Sequence, residues 1–507
     1  MTRTHTYPPR HADTGLAGLR APVGGPDLSL RSALAGVGLV MALATLSRFL
    51  GLGLPLWFDE IATYVNSMQG TLWQIMSSFV SNNDHPFYTF LAKLSTDALG
   101  FSEWSFRLPA ALFGIAAVPA TYWLAARLLS RREALAAALM IAVSYHAVWF
   151  SQNARGYTIM LVAALICTTT LHGALRARQL SVGWLAPYSL MAALAAYTHL
   201  TMVLFVIGQA LVACAYILLV WRGPERNRGM MILIGLFGAS AGMTVLFYAP
   251  MLTSVIDFFL DGMSSEKTAV GAKVASPFWA ILAGFEEAKN SVGGLIPLLA
   301  IVTALGVGGI SLLLRQPLAT ALVVIPVPVI VIATLVLGRP IFPRFFFYAA
   351  GFLTIAAAHG LWVIACTISD RFAARVFTGL ALIAVLATTA GLPRNYALPK
   401  QNYEAAQALV QERFADLPKY AVSITADLPM RAYLGGAYTR LDDGPTLDAA
   451  LATGETVVVV HTFARYVENG LPDLWTRLTS LCKVEAVIEA TVVGGEITIS
   501  TCAADGA

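Results

Sequence analysis

Charge is what this chain of 507 residues has least of: Asp, Glu, Lys and Arg together make up 12% of it. A soluble protein carries about 25% charged residues. Hydrophobic residues supply 57% of the chain and the mean hydropathy is +0.69, so an ordinary soluble enzyme is excluded. A nucleotide site is without support as well, because there is no Walker-type loop and no Gly-rich fingerprint followed by an acid. The formal net charge of +4 is spread over short loops rather than gathered on one face, which leaves nucleic acid no footprint. Cysteine is scarce. Cys167, Cys214 and Cys366 lie in or at the ends of apolar runs and read as small hydrophobes. Cys482 and Cys502 fall in a polar tail and are open to pairing in an oxidising compartment.

What the chain does have is apolar runs of about 20 residues, each long enough to cross a bilayer core. They fall at 33–56, 105–128, 133–150, 157–175, 182–197, 200–221, 230–250, 292–314, 317–337, 343–366 and 374–392, eleven in all. The polar, Pro-, Gly- and Arg-rich residues 1–32 read as a disordered tail with no cleavable signal. Placing that tail in the cytoplasm puts Arg127, Arg131, Arg132, Arg176, Arg178, Arg222, Arg226, Arg228, Arg315, Arg371 and Arg375 on the inside, as the positive-inside rule requires. The first loop, 57–104, the loop 251–291 and everything after 392 then lie on the outer face. Within the first loop, Tyr64–Val80 and Phe87–Leu99 have helical apolar spacing and predict two amphipathic helices at the membrane surface.

Residues 393–507 change character. Strands are expected at Val422–Thr425, Thr456–Val460, Val484–Val493 and Glu496–Ser500, and helices at Gln401–Phe414 and Leu471–Leu481. The expected fold is a polytopic α-helical membrane protein of about eleven spans with a small C-terminal α/β domain outside the cytoplasm. A two-residue turn at Gly494-Gly495 would set Cys502 opposite Val487, so a Cys482–Cys502 disulfide needs a different register.

The polar residues placed on the outer face form a set: Asp59, Glu60, Asp84 and His85 from the first loop, then Gln152, Arg155 and Tyr157, then His199, then Arg339 and Arg344. A proton abstraction at neutral pH needs a partly desolvated carboxylate or imidazole. A phosphate leaving group needs the planar fork of Arg. Together they suit attack on a lipid-phosphate-linked substrate. Each residue also has a plainer role. An acid pair at a helix end serves as a cap, His199 as a hydrogen-bonded interfacial histidine, Arg344 as a headgroup anchor, and Asp84-His85-Pro86 as a capped helix start. Asp84, His85 and His199 are candidate ligands for a divalent metal ion, although none of their spacings is diagnostic.

The order of the motifs resembles membrane glycosyltransferases of the GT-C superfold, in particular those similar to dolichyl-phosphate-mannose protein mannosyltransferases and aminoarabinose lipid A transferases (glycosyltransferase family 39). The stretches concerned are Trp57-Phe58-Asp59-Glu60, Asp84-His85-Pro86-Phe87-Tyr88, Ser102-Glu103 with Phe106-Arg107-Leu108-Pro109, Ser151-Gln152-Asn153-Ala154-Arg155-Gly156-Tyr157, Tyr197-Thr198-His199, Pro343-Arg344-Phe345 and Pro399-Lys400-Gln401-Asn402-Tyr403. The family often has two prolines after the loop histidine, where this chain has Pro86-Phe87.

The resemblance implies a polyprenyl-phosphate-linked sugar donor and an inverting transfer at the outer leaflet of a bacterial inner membrane. The acceptor would be a lipid, a glycan or a protein. Asp59 would be the general base, with Glu60 orienting it or raising its pKa by proximity. Arg155 and Arg344 would hold the leaving phosphate, with His199 a further contact and Asp84, His85, Gln152 and Tyr157 completing the substrate site. Two competing readings are a lipid-linked-glycan flippase, which would favour charges at span midplanes and paired repeats, and a non-catalytic envelope assembly protein.

Overall fold

The computed structural model describes residues 27–79, 84–178, 180–257, 277–339 and 341–503. Residues 1–26 of the expected N-terminal tail, Val80 at the end of the first amphipathic segment, and 258–276 of the loop 251–291 lie outside the described residues. The first span starts slightly earlier than expected, at Leu30, because the Ser29 side chain accepts a hydrogen bond from Ser32 N–H and caps the helix. It also ends earlier, at Phe49. Gly51 sits at φ +77° and Pro55 follows, so 50–57 is an irregular crossing rather than the last turns of a helix.

Among the described residues nine helices are long and apolar enough to span a bilayer: Leu30–Phe49, Glu103–Leu128, Tyr157–Ala177, Thr201–Val220, Gly223–Asp257, Leu295–Arg315, Pro317–Val336, Pro343–Ile368 and Ala373–Ala397. A pair bent by 55°, Arg131–Val143 with Tyr145–Ser151, makes a tenth if counted as one span. Val182–Thr198 is a further apolar helix of 17 residues. The protein is an integral membrane protein.

The bend at Ser144 frees carbonyls that a membrane interior would leave unpaired. Arg48, fully buried, satisfies them: its guanidinium donates to Ala142 O at 2.6 Å and Ile141 O at 3.2 Å, and to Ser151 Oγ at 3.1 Å across the break. A buried arginine inside the first span is therefore structural. Elsewhere, small residues set the spacing. A Cβ on Gly308 would stand 1.8 Å from Ala356 O, and one on Gly360 would stand 1.8 Å from Ala304 O, so these two helices touch backbone to backbone.

The first loop forms Phe58–Thr63, a π-helical turn Tyr64–Met68, Leu72–Ser77 and Pro86–Leu99. The expected single helix over Tyr64–Val80 is therefore broken. Gly70 interrupts it, and Thr71 starts a new helix by exchanging hydrogen bonds with Gln74 in a capping box.

The tail is an α/β domain with a five-stranded mixed sheet: β1 Lys419–Val422, β2 Thr439–Leu441, β3 Val457–His461, β4 Cys482–Ile488 and β5 Ile497–Cys502, in the order β2-β1-β3-β5-β4. β1 is parallel to β2 and β3, while β5 is antiparallel to β3 and β4. β3 is buried on both faces, which explains its uninterrupted valines. Val457 and Val459 pack beneath Leu447 and Leu474 of the outer helices, and Val458 and Val460 join a core with Leu56, Ile61 and Tyr88 of the membrane domain. The short strand β2 and the helices Gly444–Leu451 and Ala464–Gly470 were not expected.

The register at the last two strands corrects the two-residue turn. β4 and β5 pair Ile488 with Ile497, so the connection is 489–496, and a bulge between Val484 and Ala486 brings Cys482 opposite Cys502. The two cysteines are disulfide-bonded.

Candidate active site

The short helix Phe58–Thr63 carries the acid pair at its N-terminus, and the two carboxylates part company there. Glu60 points inward and is completely buried. Arg107 grips it through two bonds, Nε to Oε1 at 2.8 Å and Nη2 to Oε2 at 2.5 Å. Ala154 N–H donates to Oε1 at 2.6 Å and Trp57 N–H to Oε2 at 3.3 Å. Burial pushes this carboxyl up, but the Arg107 charge and hydrogen bonds outweigh it and hold Glu60 below the usual carboxylate range. Arg107 spends its remaining donors on Leu52 O, Leu54 O and Pro55 O. Glu60 and Arg107 thus fold the irregular crossing around themselves.

Asp59 points the other way. Its side chain keeps 14% exposure, and Oδ2 lies 3.4 Å from Arg344 Nη1 and 4.0 Å from Arg155 Nη1. Arg155 reaches this point from the loop 152–156, which the first loop holds in place. Trp57 Nε1 donates to Asn153 Oδ1 at 3.1 Å, Ala154 N–H goes to Glu60, and Gly156 N–H donates to His85 Nδ1 at 3.3 Å. A Cβ at Gly156 would lie 2.2 Å from Thr198 Cγ2, so glycine is needed where the loop meets the Val182–Thr198 helix. Arg344 arrives on a 3₁₀ turn, Pro343–Ala349, with its guanidinium 4.4 Å above the Phe342 ring. Arg155 is almost fully buried, and its Nε has no hydrogen-bond partner among the described residues. Such a donor is costly to leave unmade and suits an anionic ligand.

Behind the arginines stand two histidines and a tyrosine. The ring centres of His85 and His199 are 5.0 Å apart, those of His85 and Tyr157 5.1 Å. Burial, with Arg155 beside them, lowers both histidines: His85 well below its ordinary value and His199 to about 3. Both imidazoles are therefore neutral at pH 7. Because His85 Nδ1 accepts from Gly156 and His199 Nδ1 accepts from Thr201 N–H at 3.2 Å, the hydrogen sits on Nε2 in each. The pair offers two neutral N–H donors, suited to hydroxyl or phosphate oxygens.

Asp59, His85, Arg155, Tyr157, His199 and Arg344 thus converge, as the sequence order suggests. Gln152 does not join them. Its amide donates to Arg48 O at 3.0 Å and to Leu50 O, and its carbonyl accepts from Asn395 Nδ2 at 2.7 Å, tying the end of the first span to the start of the tail. Asp84 turns toward Ser67, whose hydroxyl donates to it at 3.3 Å. Among the described residues no group of three His, Cys, Asp or Glu side chains is arranged so that it could hold a metal ion, and two arginines flank the histidines.

Three residues without a role in the sequence pattern matter here: Lys400 and Gln401, from the Pro399–Tyr403 motif, and Phe463, which lies in no motif. Lys400 is buried, donates to Gln152 O at 2.5 Å and lies 5.1 Å over Trp149. Burial, then the Arg107 charge, lowers it to about 7. Gln401 accepts from Phe58 N–H at 3.0 Å and donates to Gly495 O at 2.9 Å, so the tail is bonded to the residue next to Asp59. Phe463, a non-glycine residue at φ +48°, places its ring edge-on 6.1 Å from Phe58.

A multi-span body, an acid-bearing first loop braced on a later loop, and a small domain seated over both define the GT-C superfold of membrane glycosyltransferases, and this chain has that fold. Residues 83–259 match the family of dolichyl-phosphate-mannose-protein mannosyltransferases. Among solved structures, the Archaeoglobus fulgidus oligosaccharyltransferase in complex with Zn and sulfate is similar over 91% of this chain and 72% of its own, at 13% identity and a TM-score of 0.56. ArnT from Cupriavidus metallidurans in the apo state is similar over 93% of this chain and 98% of its own, at 13% identity and a TM-score of 0.52. The same enzyme bound to undecaprenyl phosphate is similar over 95% of this chain and 100% of its own, at 14% identity and a TM-score of 0.50. No curated protein matches the chain in sequence.

Proposed function

We propose that this protein is an inverting glycosyltransferase that moves a sugar from a polyprenyl-phosphate-linked donor to an acceptor outside the cytoplasm. The observation that carries the reading is one carboxylate, Asp59, held within 4.0 Å of two arginines from separate segments, Arg155 and Arg344. The similarity to ArnT, solved with undecaprenyl phosphate, and to the A. fulgidus AglB, solved with a dolichol-phosphate, supports a lipid-phosphate donor.

The chemistry follows from the geometry. The donor phosphate binds the forks of Arg155 and Arg344, whose charges Asp59 otherwise shares. An acceptor hydroxyl or amine then attacks the anomeric carbon from the side opposite the phosphate. The bond from that carbon to the phosphate oxygen breaks, its electron pair stays on the phosphate, and the two guanidinium groups stabilise the charge. Asp59 takes the proton from the nucleophile. His85 and His199 donate through Nε2 to the sugar or phosphate oxygens. Glu60 positions rather than reacts, since its oxygens are occupied by Arg107, Ala154 and Trp57. Candidate acceptors are a lipid, a glycan or a protein.

The test is transfer by purified protein in liposomes holding a radiolabelled polyprenyl-phosphate sugar and envelope-derived acceptors. Labelled product without net translocation supports the reading. Translocation without product would move the assignment to a flippase. Mass spectrometry of envelope lipids, glycans and proteins with and without the chain would name sugar and acceptor together.

A further inference from the structure

At the opposite end of the spans from His199, a cavity of about 330 Å³ opens where four helix ends meet. Arg178, Ser181, Trp221, Glu225, Arg228 and Ile232 are among the residues that line it. The local charge is lopsided: Arg176, Arg178, Arg222, Arg226 and Arg228 share these two connections with a single acid, Glu225. Glu225 is taken by Arg178, whose Nη1 donates to it at 2.8 Å. Arg228 has no ion-pair partner among the described residues.

The wall of the cavity is specifically shaped. Trp221 is 3% exposed, yet its Nε1–H has no hydrogen-bond partner among the described residues. An indole N–H can only donate, so what completes it is an acceptor oxygen. The ring is seated by Gly229, where a Cβ would come within 2.6 Å of Trp221 Cζ3, and Arg178 lies 5.8 Å over its face. Beyond the polar residues the lining turns apolar. Leu180 and Ile232 lead to Leu218, Leu219, Met231 and Ile234, all strongly exposed on the lipid-facing surface.

We propose that this cavity binds the phosphate headgroup of an anionic membrane lipid on the cytoplasmic face. Arg228 and the Trp221 indole would hold the phosphate oxygens, and the acyl chains would run along the exposed leucines and Ile234. A basic pocket between spans on that face is the setting in which anionic headgroups are held, and a tryptophan at interfacial depth fits it. The site lies across the membrane from Asp59 and does not depend on the proposed transfer.

The full-length protein in detergent is titrated with phosphatidylglycerol, phosphatidylcholine or polyprenyl phosphate while its thermal melting is followed. Phosphatidylglycerol should raise the melting temperature and phosphatidylcholine should not. Arg228→Gln should raise the half-saturating concentration roughly fivefold, and Trp221→Phe, which keeps the ring and removes the N–H, should also raise it. Arg371→Gln, in another loop of the same expected face, should leave it unmoved. A polyprenyl phosphate effect lost in the same variants would mean that the site takes lipid phosphate from either source. Stabilisation confined to phosphatidylglycerol would name the phospholipid alone. Equal stabilisation by phosphatidylcholine, unchanged midpoints in both cavity variants, or an equal change in Arg371→Gln would overturn the proposal.

Discussion

Glu60 and Arg107 meet through two parallel hydrogen bonds with neither side chain more than 1% exposed, while Asp59, one residue earlier, faces Arg344 across 3.4 Å. A single backbone step separates an acid that builds the site from the acid proposed to work in it. Their substitutions should therefore fail differently. Asp59→Asn should lower turnover by about 10²–10⁴-fold, the usual worth of a general base, with melting temperature unchanged. Glu60→Gln should destabilise the protein by about 3–5 kcal/mol, because Arg107 is left buried and unpaired. Initial rates alongside thermal melting in detergent separate the two. Asp59→Asn with full activity would remove it as the base.

Arg155 and Arg344 come from different segments but address one point. Replacing either by Lys keeps the charge and loses the fork. Each change should weaken donor binding by about tenfold or more, since a hydrogen bond to a charged group is worth about 1.5–3 kcal/mol. Turnover at saturating donor should change less than KM. Titration with the unsubstituted polyprenyl phosphate gives the same comparison without chemistry.

The two histidines make a pH prediction. Their folded pKa values lie below the unfolded one, His199 at about 3 against 6.5, because burial and Arg155 resist a second positive charge. Between those values the unfolded chain binds protons that the folded chain refuses. Stability is thus highest above pH 6.5 and falls as the pH drops below it. Glu60 adds to the loss only at lower pH, where the unfolded chain's free carboxylate begins to take up a proton below 4.5 that the folded one, paired with Arg107, resists. Melting at pH 7.5, 6.0 and 5.0 should show the decline, and His199→Gln should flatten it.

The Cys482–Cys502 bond closes a loop with a sequence separation of 20 at the edge of the sheet. Cys482→Ser with Cys502→Ser should cost the tail domain about 3 kcal/mol by the loop-entropy relation, seen as faster proteolysis within 393–503 while the spans stay protected.

The spans were legible because bilayer thickness turns hydropathy into length. The site was legible in part for the same reason: Asp59, Arg155, His199 and Arg344 all fall at one end of the spans. What pattern reading could not supply is which polar residue faces which. Gln152 and Arg155 lie three residues apart in one loop, yet Gln152 ties two helix ends together and only Arg155 reaches Asp59. Likewise Glu60 looked like a partner to Asp59 until Arg107, from the next span, took it. The register of β4 and β5 was misjudged because Gly494-Gly495 is a strong turn signal, whereas the bulge at Val484 leaves no mark in composition.

One hydrogen bond bears on how the protein comes into being. Phe58 N–H, beside Asp59, is received by Gln401, and Gln401 is itself fixed by Gly495 O. The first loop emerges early in synthesis, but its anchor is added 343 residues later and is held in turn by the connection between β4 and β5. The loop bearing Asp59 gains this anchor only when the tail domain has been made and lies on the same side. A stalled or truncated chain would insert into the membrane with every proposed site residue present and remain inert.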